Sequence, residues 1–413
     1  ITEITPVYTK VQGIRGEPRS YVWDMRIATS SIPREMLHKI LKTAVPQDDV
    51  DARLQVVRLY LQSDRYRDAE LELAEIIEDF PEMTNLRDQV QQLRQLGARL
   101  VLREIQLRAK AGQTQMARSL LAQFPSEDVS GGLLQQVREL LAKYAADDNR
   151  RKALLDDLDA QVAAIRDPNG RRLAEQFAVE IAAEANSDPL NRLASFERLA
   201  DDAELTAEQK VALAISGWLI GANDATDDFQ TALSLAEARD MIREYLREPT
   251  AAERTAIVAE LRDREGATIE NVARILKLMK PPLDLPDTAR RRPGQFDLTI
   301  PGLSGHNDVR YLVQLPPEYD PLRRYPVIVA LTDAGVPAEA ELAYWAGDPR
   351  DDGEPRGQAT RHGYITIAVD WLGPKQIACE YSAREHHSFL GSLRDAMRQF
   401  SIDSDLLFLT RHA

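Results

Sequence analysis

The sequence predicts a multidomain protein: an all-α helical-repeat-like array followed by a partial α/β domain with a mostly parallel sheet. Three observations predict it. From Pro33 to Lys280 apolar residues recur at three- and four-residue steps, the period of an amphipathic helix. A stretch with four prolines and three arginines, "KPPLDLPDTARRRPGQ" (280–295), then breaks that period. Beyond it come apolar or alternating runs of strand length: "FDLTI", "DVRYLVQL", "YPVIVAL", "YITIAV" and "DSDLLFLT".

The expected domains are therefore 1–32, 33–280, a linker at 281–295, and 296–413. Residues 1–32 mix Thr, Val and Tyr with a Gly-Glu-Pro turn signal, and read as an extended lead-in or short strands. In 51–82 the residues Leu54, Val57 and Leu61 share one face of a first helix. Ala69, Leu73, Ile76 and Ile77 share one face of a second, which Pro81 ends. A second pair spans 97–125, with Ala117 as its small contact and Pro125 as its stop. Further helices are expected near 133–146, 148–165, 170–186, 189–201, 206–221, 228–247, 250–264 and 267–279, with no strict period through them. "VALAISGWLI" (211–220) is too short to span a membrane and reads as a buried helix.

Composition narrows the function. The chain has 413 residues, 29% of them charged, and a formal charge of −14. A phosphate backbone is repelled by such a surface, so no nucleic-acid partner is expected. The basic run Arg290-Arg291-Arg292 reads as a solvated linker. One cysteine, Cys379, allows neither an internal disulfide nor a thiolate metal site, and is expected to be a buried small residue. The chain starts at Ile1 rather than Met, without a signal-like run, so the natural start and any targeting segment are expected upstream.

The segment 51–82 resembles a tetratricopeptide repeat. Tyr60, Ala69 and Pro81 stand at its tyrosine, small-residue and proline positions, while Arg53, Val56 and Val57 replace its Trp-x-x-Leu-Gly start. Such pairs bury their apolar stripes by stacking, and the resemblance implies a concave face for a protein or peptide partner.

After the linker, "VQLPPEYDPLRRYPVIVAL" (313–331) and "FSIDSDLLFLTRHA" (400–413) are similar to the opening strands and the pre-nucleophile strand of α/β-hydrolases of the esterase and prolyl-oligopeptidase kind. The resemblance covers about residues 296–413, the first half of such a domain. It implies acyl transfer: a serine on a strained strand–helix turn attacks an ester or amide carbonyl, a histidine takes its proton, an acid orients the histidine, and backbone N–H groups hold the oxyanion. Arg411, His412 and Ala413 fall where the family has Gly-His-Ser, so the nucleophile position is aligned to Ala413, which has no oxygen. The family's acid and base come later. The oxyanion segment after the strand 327–331 is Thr332-Asp333-Ala334-Gly335, with Asp333 and Ala334 as the candidates.

Losing the nucleophile of a serine triad costs on the order of 10⁶ in turnover, so no hydrolysis is expected from residues 1–413 alone. The expectation is a serine hydrolase truncated before its triad. The alternative is a non-catalytic helical-repeat scaffold with a pseudo-hydrolase domain.

Other groups are weaker candidates. Glu385, His386 and His387 are adjacent on a helix, where successive side chains point about 100° apart, so no metal is expected there. His306 with Gly302 and Gly305 lacks the spacing of a phosphate loop, and Ser382 and Ser388 have no evident base. No cofactor is expected.

Overall fold

The computed structural model describes residues 1–15, 21–29, 32–63, 65–83, 86–186, 189–284, 289–347, 357–373, 376 and 379–411. It is a helical array plus a six-stranded mixed sheet. The chain divides into two compact units. The first holds Ile1–Gln106 and Arg118–Leu141, the second Leu107–Ala117 and Ala142–Ala413.

The first unit opens with an antiparallel meander of β1 (Glu3–Ile4), β2 (Tyr8–Arg15) and β3 (Tyr21–Ala28). The buried hydroxyls of Thr9 and Thr29 meet at 2.9 Å beside it. Helices α1 (Arg34–Ala44), α2 (Val50–Gln62), α3 (Tyr66–Asp79) and the start of α4 (Leu86–Lys110) follow. Asp49 caps α2 by accepting from the Ala52 N–H. Val57, Tyr60, Ala69, Leu73 and Ile76 are buried in one core. Ala69 has no exposed surface, as a position with another element packed tightly on it requires. The place where the tetratricopeptide resemblance wants tryptophan holds Arg53, 1% exposed. It meets Glu72 at 2.9 Å and Asp79 at 2.5 Å on α3.

After α5 (Thr114–Ala122), the helices expected at 133–146 and 148–165 are one helix, α6 (Gly131–Ala164). The polar run 147–152 at the expected junction contains no Gly or Pro, so nothing stops the helix there.

In the second unit come α7 (Pro168–Glu184), a 3-10 turn (Pro189–Leu193), α8 (Ala194–Leu199), α9 (Ala207–Ile220), α10 (Phe229–Arg247), α11 (Ala251–Arg262) and α12 (Ile269–Leu278). Asp167, Thr206, Asp228 and Thr268 cap α7, α9, α10 and α12. The run 211–220 in α9 is buried throughout, so α9 is the central helix on which the others pack. Gly217 lets the 3-10 turn close on it, since a Cβ there would lie 2.5 Å from the Arg192 carbonyl oxygen. Among the described residues, no helix is long and apolar enough to cross a membrane.

The sheet contains β4 (Arg290–Arg292), β5 (Gln295–Ile300), β6 (Val309–Gln314), β7 (Tyr325–Leu331), β8 (Ile365–Val369) and β9 (Ile402–Arg411), in the order β4-β5-β6-β8-β7-β9. β4 and the first residue of β5 lie within the segment 281–295 that reads as a linker. The expectation of a mostly parallel sheet is corrected. β4, β5, β6 and β8 pair antiparallel in turn, and only β8–β7 and β7–β9 are parallel. The reason is connection length: short links join β4 to β5 and β5 to β6, whereas parallel neighbours need a crossover. Helices α13 (Ala338–Ala346) and α14 (Gln358–Arg361) lie between β7 and β8, and α15 (Ala383–Gln399) between β8 and β9.

Alternation along the strands assigns the two faces. Leu312 and Ala368 pack with Ala338 and Leu342 of α13. Tyr311, Val313, Val327 and Ile367 pack with Ala396 of α15 and with Phe400. The sheet is therefore covered on both faces, as its continuous apolar strands require.

Polar side chains tie this sheet to helix ends within the same unit. Arg324 donates to the Leu276 and Lys277 carbonyls at the end of α12, and Arg398 to Leu246 near the end of α10. Glu318 accepts from the Gln115 and Met116 N–H groups in the first turn of α5, at 2.7 Å each. Each charge has the sign that the helix end favours.

Candidate active site

The chain reverses its winding direction at β7. β8 lies on one side of β7 and β9 on the other, and their intervening helices cover opposite faces. Open sheets bind ligands outside the carboxyl ends of their strands at such a point. Leu331 of β7 pairs with Val369 of β8 and with Arg411 of β9, so the three parallel strands end level. The loop after β7, the loop after β8 and the exit from β9 therefore share one edge.

A cleft of about 510 Å³ lies there, lined by Thr332, Asp333, Ala334, Gly335 and Val336 after β7, and by Asp370, Leu372, Gly373 and Gln376 after β8. Both sequence-chosen oxyanion candidates, Asp333 and Ala334, line it. The loop is held from behind: the Trp371 indole N–H donates to the Thr332 carbonyl at 2.9 Å, and the Val336 N–H to the Asp333 carbonyl at 3.0 Å. Gly335 has φ +80°, where a side chain would be strained. Among the described residues, neither the Ala334 nor the Gly335 N–H has an acceptor. Two adjacent N–H groups of this kind are what a developing oxyanion needs. His412 and Ala413, the elbow residues of the alignment, lie outside the described residues.

Asp370 was not singled out by the sequence reading. Its position directly after the apolar run "ITIAV" was the available signal. Burial pushes its carboxyl above the usual range, and Arg310, 3.4 Å away, works against this. The same Arg310 forks onto Asp297 at 2.9 and 3.1 Å and reaches Glu339 at 2.5 Å. The lining offers no serine or cysteine, and the one hydroxyl, Thr332, is buried and donates to the Val369 carbonyl. Among the described residues, the cleft therefore presents two N–H groups without acceptors and no activated nucleophile.

Gln376 and Glu385 form the cleft's support. Gln376 accepts from the Gly373 N–H at 2.8 Å and donates to Glu385 at 2.5 Å. Glu385 closes a capping box with Ser382 at the start of α15. Burial alone would raise its carboxyl; hydrogen bonds from the Glu380 and Ser382 N–H groups, the Ser382 hydroxyl and Gln376 outweigh that and hold it down at about 2. A depressed carboxylate stabilises the fold above its unfolded value and loses that contribution as pH falls through the folded one. We therefore expect Glu385→Gln to be less stable than the parent above about pH 5, with the difference vanishing between about pH 4.5 and 2. Urea midpoints measured across pH check this, and a constant difference would contradict it.

The remaining candidates are structural in their contacts. His387 Nε2 lies 2.9 Å from the Pro301 carbonyl oxygen, and the Ser388 hydroxyl donates to the Arg384 carbonyl oxygen. His306 Nδ1 lies 3.3 Å from the Ser304 carbonyl oxygen. Cys379 is half-buried rather than buried, packing at the margin of the sheet core from the loop before α15. Compared with protein-family models and with curated proteins, the chain matches none.

Proposed function

We propose that the second unit carries the acyl-binding half of a serine hydrolase of the α/β-hydrolase type, acting on ester or peptide bonds. The observation that carries this reading is the level ending of β8, β7 and β9 around a loop with two unclaimed N–H groups. Thr332–Val336 fits the oxyanion loop after a central strand, with Ala334 and Gly335 as its donors and Asp333 beside them. The exit from β9 fits the approach to the nucleophile elbow, whose aligned position is Ala413.

Residues 1–413 alone are then inert, by about 10⁶ in turnover relative to an intact triad. The test is covalent labelling by a fluorophosphonate. The protein from its native cells is expected to take up one label and the 413-residue chain none. A label on the 413-residue chain contradicts the alignment of the elbow to Ala413. No label on either removes the hydrolase reading.

A second reading has its own observation. In the first unit a groove of about 630 Å³ runs along Tyr66, Leu71, Leu93, Leu100 and Val101, with Arg67 and Arg94 at its rim. It suits a helical-repeat scaffold that holds a protein or peptide partner.

A further inference from the structure

Apart from the cleft, the second unit contains a partly open pocket of about 210 Å³ among α7, α9, α10, α12 and Leu322. Leu219, Ile275 and Leu278 form its apolar wall, beside Trp218. Four cations line it against two carboxylates, in a chain whose formal charge is −14. Both carboxylates are engaged: Glu180 pairs with Arg239, and Glu184 with Lys280. Arg192 and Arg243 have no carboxylate partner within this lining.

Arg192 has only neutral partners. Its Nη1 donates to the Leu278 and Trp218 carbonyls at 3.0 and 3.4 Å, and its Nη2 to Leu322 at 3.5 Å. Its guanidinium lies 5.4 Å from the centre of the Trp218 ring. Among the described residues no carboxylate is within ion-pair reach of it, and the Nε–H and second Nη2–H have no acceptor. Those two N–H groups form one edge of the fork, the edge that takes a carboxylate bidentately. Burial pushes this guanidinium below its ordinary value, with Asp320 and Glu184 acting against that from a distance. Arg243 adds a second signal: its Nε is buried with no acceptor, although its outer end reaches the exposed Asp284 at 3.4 Å. Buried donors and charges without partners are costly, and an anion between these two arginines removes the cost.

We propose that this cavity binds a small carboxylate, its head on Arg192 and Arg243 and a short apolar tail along Leu219, Ile275 and Leu278. The room is that of about seven waters, enough for a tail of a few carbons. Inorganic phosphate has no tail to lay along Leu219, Ile275 and Leu278, so it forgoes the apolar contact that a short-chain carboxylate makes. The inference is independent of the hydrolase reading.

Calorimetric titration of the 413-residue chain tests it, with hexanoate, hexanamide and inorganic phosphate as probes. Hexanoate is expected to bind, hexanamide not to bind, and phosphate to bind more weakly than hexanoate. Arg243→Gln, at a half-exposed arginine, should weaken hexanoate by about tenfold or more. Three results would each overturn the proposal: no hexanoate binding at millimolar concentration, equal binding of hexanamide, or phosphate binding tighter than hexanoate. Unchanged hexanoate affinity in a folded Arg243→Gln would do the same. The hexanamide comparison uses the unaltered protein, so a variant that fails to fold leaves the test intact.

Discussion

Replacing Arg53 by methionine is expected to destabilise the first unit by about 3–5 kcal/mol. Arg53 is 1% exposed, and its buried partner, Glu72, is 7% exposed. Methionine can fill the volume, but it leaves the Glu72 carboxylate in the core with only the His38 ring, 3.8 Å away, beside it, and the poorly compensated charge is the larger cost. Asp79 is 60% exposed and returns to water at little cost, so the effect comes from Glu72. Hydrogen exchange in α2 and α3 reads the loss locally, as acceleration by about 100-fold or more. The double change Arg53→Met with Glu72→Leu should recover most of it, because an apolar pair of similar volume is a good substitute for a buried ion pair. A single variant as protected as the parent would show that the pair is not buried as described.

Phe400→Ala is the second large effect, at about 3–5 kcal/mol in the second unit. Phe400 has no exposed surface and sits at the junction of α15 and β9, in the core under one face of the sheet. Its ring lies 5.5 Å from that of Phe296, tilted by 56°. Truncation loses the transfer of the ring from water and that aromatic contact, and the strands around it are fixed by their ladders and cannot close the gap. Exchange in β7, β8 and α15 should accelerate, while α2 and α3 keep their protection. Equal acceleration in both units would contradict the assignment of separate cores.

Some of this was legible from local pattern and some was not. Helix period placed α9, α10 and α12 within a residue or two, because apolar period and end signals are written locally. Arg53 was visible only as a departure from a repeat motif. Its partners lie 19 and 26 residues away, and no period records a pairing between helices. The helices expected at 133–146 and 148–165 are the single helix α6, because polar residues such as Asp147, Asp148 and Asn149 do not by themselves end a helix. The sheet order was hidden for a similar reason: an apolar run announces a strand but not its neighbour, and β8 sits between β6 and β7. At the candidate site, the loop Thr332–Gly335 was picked out by the α/β-hydrolase resemblance, which implies an oxyanion segment after the strand 327–331. Asp370 did not, since its burial and its contact with Arg310 depend on that unread order.

The central claim is that Thr332–Val336 forms a carbonyl-binding loop at the strand ends. Amide-resolved NMR of the 413-residue chain, titrated with a slowly hydrolysed ester, tests it most directly. The account predicts that the Ala334 and Gly335 amide signals move first and furthest, together with those of Gly373 and Gln376. Binding that shifts amides elsewhere and leaves Ala334 and Gly335 in place would contradict it.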